Sequence, residues 1–329
     1  MIRLLSWNVR YFSHATRGIT SLDQTQRGIA SVIAKMDPQP DIIALQELDD
    51  FSIRSVIGRA GGRSKRGEPV SNFDRFFESL NRESLERGGH LYQAQFYPAQ
   101  GHKGGLPLYS TGLGILYRSS LQQVDHNGPE PHDITHRRIS QLSKLKQKRI
   151  CAWGRFRDGE QEFDVFNTHL SLPAFLKRAS GPTGGRFGES DNQVKEIESL
   201  LDFVSRTSDL DATVLVGDFN ALPGSRVYST VAERLRDAHA THIGAPPDHM
   251  VHMHSAGFMN LRYRLDHVFA GRRIQFHDFH DTAPYGRTHP WVALSDHSPL
   301  VGRFSVLPRV AESPVAGAPT LDTSTSIRA

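Results

Sequence analysis

Six short stretches of this sequence set polar groups directly against apolar runs. Trp7-Asn8 follows Leu4-Leu5-Ser6, Gln46-Glu47 follows Ile42–Leu45, and Asn167-Thr168-His169 follows Phe163–Phe166. Gly217-Asp218-Phe219-Asn220 follows Val214–Val216, Asp266-His267 sits within Leu265–Phe269, and Ser295-Asp296-His297 precedes Leu300–Phe304. Glu47, Asp218, Asp266 and Asp296 are carboxylates, Asn8 and Asn220 are amides, and His169 and His297 are imidazoles. Carboxylate and amide oxygens are hard ligands, suited to Mg²⁺ or Mn²⁺ rather than zinc. Carboxylates drawn into one pocket repel unless a cation or an imidazolium offsets them, so the set implies a divalent metal. Singly, each motif has a plainer reading. Asp296-His297 is a surface pair, Gly217–Asn220 a turn with local hydrogen bonds, and His169 a core histidine. Their ordered recurrence beside strands is what points to one pocket.

The elements that must position them alternate between strands and helices. Ile2–Trp7, 41–46, Leu113–Tyr117, Phe163–Phe166, Thr213–Val216, Leu265–Phe269 and Leu300–Phe304 read as strands, several of them buried. Three helical stripes stand out. Ile29, Val32, Ile33 and Met36 follow the capping pattern Ser21-x-x-Gln24 and stop at Asp37-Pro38. Phe73, Phe76, Phe77 and Leu80 form the second. Val194, Ile197, Leu200, Leu201 and Val204 form the third, after Ser190-x-x-Gln193. These stripes read as core packing. Long Gly-, Pro-, His- and Arg-rich stretches, Gly58–Asn72, Gly101–Thr111, Pro173–Glu189 and Gly244–Asn260, read as irregular loops. Active sites gather where strand ends present loops at one rim.

Composition sets outer bounds. The chain has 329 residues, 38% hydrophobic and 22% charged, figures of a globular protein and not of a disordered, fibrous or coiled-coil one. Residues 1–307 read as one domain, and 308–329, rich in Pro, Ala, Ser and Thr, as a disordered tail. The single cysteine, Cys151, excludes an intramolecular disulfide and a Cys-rich zinc cage, and fits a reducing compartment such as the cytoplasm. The N-terminus has no secretory h-region, and no apolar run is long enough for a membrane helix. The net charge of +4 conceals clustering. Ile134 to Arg157 contains no acid but Arg137, Arg138, Lys144, Lys146, Lys148, Arg149, Arg155 and Arg157; Arg54, Arg59, Arg63, Lys65 and Arg66 form a smaller cluster. Each reads equally as a solvated face or a polyanion contact.

Leu5-Ser6-Trp7-Asn8-Val9, Leu45-Gln46-Glu47, Asn167-Thr168-His169-Leu170, Gly217-Asp218-Phe219-Asn220, Arg264-Leu265-Asp266-His267-Val268-Phe269 and Leu294–Leu300 together resemble, in order, the signature set of the endonuclease/exonuclease/phosphatase superfamily. The resemblance runs from residue 3 to about 305. It implies an α+β fold, a four-layer α/β/β/α sandwich of two mostly antiparallel sheets, and metal-dependent hydrolysis of a phosphate ester. It also implies roles. Glu47 is the main metal carboxylate, with Asn8 and Asp296 helping to hold the ion or its waters. Asp218 orients and deprotonates the attacking water, and Asn220 positions it or a phosphate oxygen. His297, oriented by Asp266, contacts the scissile phosphate. His169 contacts the phosphate or assists the leaving group.

Departures from the subfamily patterns bear on substrate. Arg10 stands where the AP-endonuclease branch carries an acid, and Ala221-Leu222-Pro223 is unlike the exonuclease III type. The inositol 5-phosphatase pattern Trp-Cys-Asp-Arg is missing. Nucleic acid ranks first as substrate, with Tyr109, Tyr285 and Trp291 as candidate stacking residues. A sphingomyelinase-like or phosphoinositide/phosphosugar activity ranks second, with Pro173-Ala174-Phe175-Leu176 as the one modest apolar loop. A non-catalytic phosphate-binding module ranks last.

Overall fold

In the computed structural model the described residues are 1–12, 22–52, 71–99, 109–136, 148–173, 186–258, 261–280, 290–291 and 294–309. The first sheet is built from β1 (Ile2–Asn8), β2 (Ile42–Ser52), β3 (Tyr92–Pro98), β4 (Tyr109–Arg118), β14 (Ile274–Phe279) and β15 (Leu300–Val306), in the order β14-β15-β1-β2-β4-β3. The second holds β5 (Gln122–His126), β6 (His132–Asp133), β7 (Ile150–Asp158), β8 (Gln161–His169), β9 (Thr213–Asp218), β10 (Arg236–Asp237) and β13 (Asp266–Ala270). Its order is β10-β13-β9-β8-β7-β5, with β6 on β7. A small hairpin joins β11 (Ala256–Phe258) to β12 (Leu261–Tyr263). Pairing is antiparallel except for β1 with β2 and β8 with β9.

Why these runs form two sheets is visible in their parity. Side chains alternate between the faces of a strand. Ile2, Leu4, Ile42 and Ala44 meet Phe163, Val165, Val214, Val216 and Val268 between the sheets. Their neighbours Leu5, Trp7, Ile43 and Leu45 turn outward onto the helices Leu22–Ala34 and Asn72–Glu86. Phe166, Leu215 and Phe269 turn outward onto the helix Asp191–Thr207. Strands buried on both faces need continuous apolar runs, which is what the sequence supplies. The four layers expected from the resemblance are therefore present.

The Ser190 cap is formed, its hydroxyl accepting from Gln193 N at 3.3 Å. Ser21 lies outside the described residues. The region 244–260, expected to be irregular, contains the short helix Pro247–Met250 and the strand β11. Apart from Pro308 and Arg309, the expected tail lies outside the described residues. No helix among those residues is long and apolar enough to cross a membrane.

Register carries the polar strand ends to one rim. Asn8 pairs with Gln46 across the parallel β1–β2 ladder, which sets Asn8 beside the start of the Glu47 turn. His169 and Asp266 both pair with Asp218 on β9. His297 precedes β15, whose Leu300 pairs with Ser6 of β1. The sheets are tied beneath this rim by a buried clamp. Gln46 Nε2 donates to Asn167 Oδ1 at 2.7 Å, and Asn167 Nδ2 donates to Leu45 O at 2.9 Å.

Candidate active site

The rim residues meet at the seam between the sheets, lining a cavity of about 570 Å³. Glu47 comes from β2, His169 from the end of β8 and Asp218 from the end of β9, with Asn220 just beyond it; Asp296 and His297 come from the segment before β15. Asn8 lies beneath them and bridges the seam. Its Nδ2 donates to Asp218 Oδ2 at 2.9 Å and to Glu47 Oε1 at 3.2 Å, while its Oδ1 accepts from the Arg10 N–H at 3.0 Å.

Local backbone geometry aims the key carboxylates. Glu47 has φ +53°, in the left-handed region, and sits where the β2–β4 register shifts between Leu45 and Leu48. That bulge turns Glu47 out of the strand alternation and into the cavity. A non-glycine residue in that region is strained, and such strain concentrates at functional sites. Asn220 has φ +47°, which asparagine tolerates, and its N–H donates to Asp218 Oδ1 at 2.9 Å. Gly217 has φ +143°, and a Cβ there would lie 2.0 Å from Thr168 O. Only glycine lets β9 approach β8 closely enough to set Asp218 beside His169.

His297 is held from two sides. Its Nδ1 donates to Asp266 Oδ2 at 2.7 Å, and its carbonyl accepts from Trp7 Nε1 at 2.8 Å. Asp266 Oδ2 also accepts from Ser255 Oγ at 2.7 Å. His297 Nε2 stands 3.9 Å from Asp218 Oδ2. His169 Nε2 stands 3.6 Å from both Glu47 Oε1 and Asp218 Oδ2, and its Nδ1 lies 3.2 Å from the Arg149 guanidinium.

These contacts push the two histidines in opposite directions. Burial disfavours the His297 imidazolium, but Asp266 and Asp218 outweigh it and raise the group to about 10. Burial lowers His169 well below its ordinary value, and Arg149 and His297 lower it further. Burial raises Glu47, and it raises Asp218 to about 7; Asp266 adds to the Asp218 shift while His297 opposes it. One imidazole is thus a cation and the other neutral, beside a carboxylate poised near neutrality.

Among the described residues, two groups of side chains could hold a metal ion, Glu47 with His169 and Asp218, and Asp218 with Asp266 and His297. In each, one donor atom per residue lies within 4.8 Å of the others. A hard divalent cation fits this donor set. Glu47 and Asp218 converge on one Asn8 amide, and Asp296 Oδ1 is buried with no hydrogen-bond partner among the described residues.

All eight expected site residues come to this rim, with two differences in detail. Asn8 presents its amide nitrogen, not its oxygen, to the carboxylates, so here it acts as a bridge between them. Asp296 lines the cavity but belongs to neither metal group; its Oδ2 pairs with Arg10 at 2.9 Å. Ser255 carried no sequence signal, standing as a lone serine in a His-rich stretch. Arg149 was hidden in a basic run. Among the described members of that run, Lys148 pairs with Asp133, Arg155 with Asp164 and Arg157 with Glu162, and only Arg149 lines the cavity. Arg137, Arg138, Lys144 and Lys146, and all of the smaller cluster, lie outside the described residues. Trp291 is only 3% exposed, packed in the core beneath β1, so it is not a stacking residue. Tyr285, the Tyr109 side chain and Ala174–Leu176 lie outside the described residues. Among the described residues, the Tyr and Phe side chains at the cavity are instead Tyr11, Phe187 and Tyr263, the last two with ring centroids 5.0 Å apart.

A profile of the Endonuclease/Exonuclease/phosphatase family matches residues 5–297. No curated protein matches the chain. Among solved structures, the chain is similar to an endonuclease/exonuclease/phosphatase from Bacteroides vulgatus, at 15% identity and TM-score 0.56, covering 93% of this chain and 98% of that one. It is similar to the human Nocturnin catalytic domain, at 20% identity and TM-score 0.56, covering 93% of each chain. It is also similar to a mannosyl-6-phosphatase from Bacteroides thetaiotaomicron, at 16% identity and TM-score 0.57, covering 93% of this chain and all of that one. At these identities the likeness carries the fold and not the substrate.

Proposed function

The chain belongs to the endonuclease/exonuclease/phosphatase superfamily, whose members hydrolyse phosphoester bonds, and from that premise we propose that it is a Mg²⁺-dependent phosphodiesterase acting on nucleic acid. The observation that carries the reaction class is the convergence of Glu47, Asp218, Asp266 and His297 on one cavity from two different sheets. Glu47 and Asp218, with Asp296 at the margin, would hold the ion; Mn²⁺ is the expected substitute. Bound there, the cation would supply Lewis acidity at the phosphoryl oxygens.

The chain's own residues supply the rest. Asp218, fixed by the Asn220 N–H, takes the proton of the attacking water. His297, kept cationic by Asp266, donates to a non-bridging oxygen where negative charge grows. Ser255 and Trp7 hold that pair in place without touching substrate. The P–O bond to the leaving group breaks opposite the incoming water, its electron pair passing to the leaving oxygen, which takes a proton from solvent. Arg10 and Arg149 both line the cavity, as two cations that suit the phosphate backbone.

The rest of the lining supports this choice of substrate. Leu172, Phe187, Leu261, Tyr263 and Leu265 make it apolar and partly aromatic, which suits a flat base beside the scissile phosphate better than a hydroxyl-rich sugar. One observation favours a second reading. Leu172 is 59% and Leu261 55% exposed in that lining, as a lipid-facing rim requires.

The test is hydrolysis of single- and double-stranded DNA, RNA, sphingomyelin vesicles and a phosphosugar, with Mg²⁺ or EDTA, at low and high salt. Nucleic-acid cleavage that needs Mg²⁺ and falls with salt is expected. Strict lipid hydrolysis without a salt effect would favour the second reading. No hydrolysis of any substrate would overturn both.

A further inference from the structure

The two histidines of the site meet opposite partners at Nδ1. His297 Nδ1 faces a carboxylate, Asp266, which only accepts, so that nitrogen carries a proton. His169 Nδ1 faces the Arg149 guanidinium at 3.2 Å. A guanidinium has donors and no acceptor, and is not deprotonated in proteins. That contact is a hydrogen bond only if His169 Nδ1 offers its lone pair. The remaining ring proton must then sit on Nε2, which stands 3.6 Å from Glu47 Oε1 and from Asp218 Oδ2.

We propose that Arg149 is a positioning residue that fixes His169 as the Nε2–H tautomer, making His169 a neutral imidazole that turns an N–H toward the carboxylate centre and not a ligand of the metal ion. Several features make Arg149 able to do this. Its backbone is pinned to the preceding segment, where the Arg149 N–H donates to Thr135 Oγ1 at 2.8 Å and its carbonyl accepts from the Ile134 N–H at 2.9 Å. His169 itself is held by β8, in register with Asp218. Its neighbours in the basic run spend their charge on acids away from the cavity, Lys148 on Asp133, Arg155 on Asp164 and Arg157 on Glu162. An imidazole that keeps its Nε2 proton cannot coordinate a cation through that atom. The geometric group of Glu47, His169 and Asp218 would then offer an ion oxygen donors alone, which selects a hard cation over zinc.

The proposal rests on the reading of this cavity as the metal and phosphoester site, but its test needs no turnover. The full chain, labelled with ¹⁵N and free of metal, is examined by long-range ¹H–¹⁵N correlation of its imidazole nitrogens, with His169→Asn identifying the His169 signals. A pyrrole-type Nε2 and a pyridine-type Nδ1 are expected for His169, unchanged when Mg²⁺ is added. In Arg149→Met, the Nδ1–H tautomer should become populated. A protonated Nδ1 in the unsubstituted protein would overturn the proposal without any variant having to fold. So would loss of the Nε2 proton on adding Mg²⁺, or an unaltered tautomer in a folded Arg149→Met. Failure to hydrolyse any phosphoester would instead count against the functional reading alone.

Discussion

Two consecutive residues of β13 lead into two buried charged clusters of opposite character. Asp266 faces the seam and joins Glu47, Asp218 and His297. His267 faces the helix layer and joins Asp237, Arg264 and Tyr228. In the second cluster Asp237 Oδ1 caps the helix Ala238–Ile243 through the Ala240 N–H at 2.9 Å, and its Oδ2 accepts from the Tyr228 hydroxyl at 3.1 Å. Burial alone would raise Asp237, but His267 and Arg264 overcome it and hold the carboxyl well below its ordinary range. There one anion meets one guanidinium, and the charge closes. At the seam, among the described residues, four acids, Glu47, Asp218, Asp266 and Asp296, face three cations, the His297 imidazolium, Arg10 and Arg149. Burial of charge is therefore common to scaffold and site; the excess of negative charge is what marks the site as built for a cation.

The sharpest way to break this contrast is to substitute one residue in each cluster. Asp218→Asn or His297→Ala should cut kcat/KM at least ~100-fold. Asp218→Asn should leave the melting temperature equal or higher, because it removes repulsion between carboxylates. Asp237→Asn should do the reverse. It leaves Arg264, 1% exposed, without its anion, which costs about 3–5 kcal/mol of stability, while kcat/KM stays within a few-fold. Steady-state kinetics and denaturant unfolding of the three variants check both halves.

A smaller effect separates the clusters without touching catalysis. Mg²⁺ at about 100 times its Kd should stabilise the protein by roughly 2.7 kcal/mol, read as a rise in melting temperature. Asp237→Asn should keep that rise, and Glu47→Gln should lose most of it. Equal rises in both would mean that the ion is not held at the seam.

The smallest effect concerns pH. His239, beside Arg264, is lowered to about 4, first by burial and then by the guanidinium. Its folded value lies below its unfolded value of about 6.5, so the unfolded chain binds the extra proton between the two. Stability contributed by neutral His239 is present above pH 6.5, falls as pH drops through that window, and levels off below 4. The loss from pH 7 to 5 should be about 2 kcal/mol. His239→Gln should flatten that part of the stability profile.

Much of the site was legible in the sequence because a buried strand has no use for a terminal carboxylate. Asp218 and Glu47 therefore stood out against Val214–Val216 and Ile42–Leu45. Positions whose signal depends on partners far away were not legible. Ser255 matters only because it meets Asp266, and Arg149 only because it meets His169. The strands β3, β5, β7 and β14 also escaped notice. β3, β5 and β14 lie at sheet edges and carry polar residues on partly exposed faces. β7 holds Arg155 and Arg157, whose charges close only on Asp164 and Glu162 of β8. Residue type announces a strand end; it does not announce a cross-sheet partner.

The proposed mechanism stands on a hard cation seated at the seam. Crystals soaked in Mn²⁺, with anomalous differences collected, test that directly. The expected map has a peak about 2.1 Å from a Glu47 carboxylate oxygen, beside Asp218, with no bond to His169 Nε2. A map without a peak there, or with its strongest peak at the Asp237–Arg264 cluster, would contradict it.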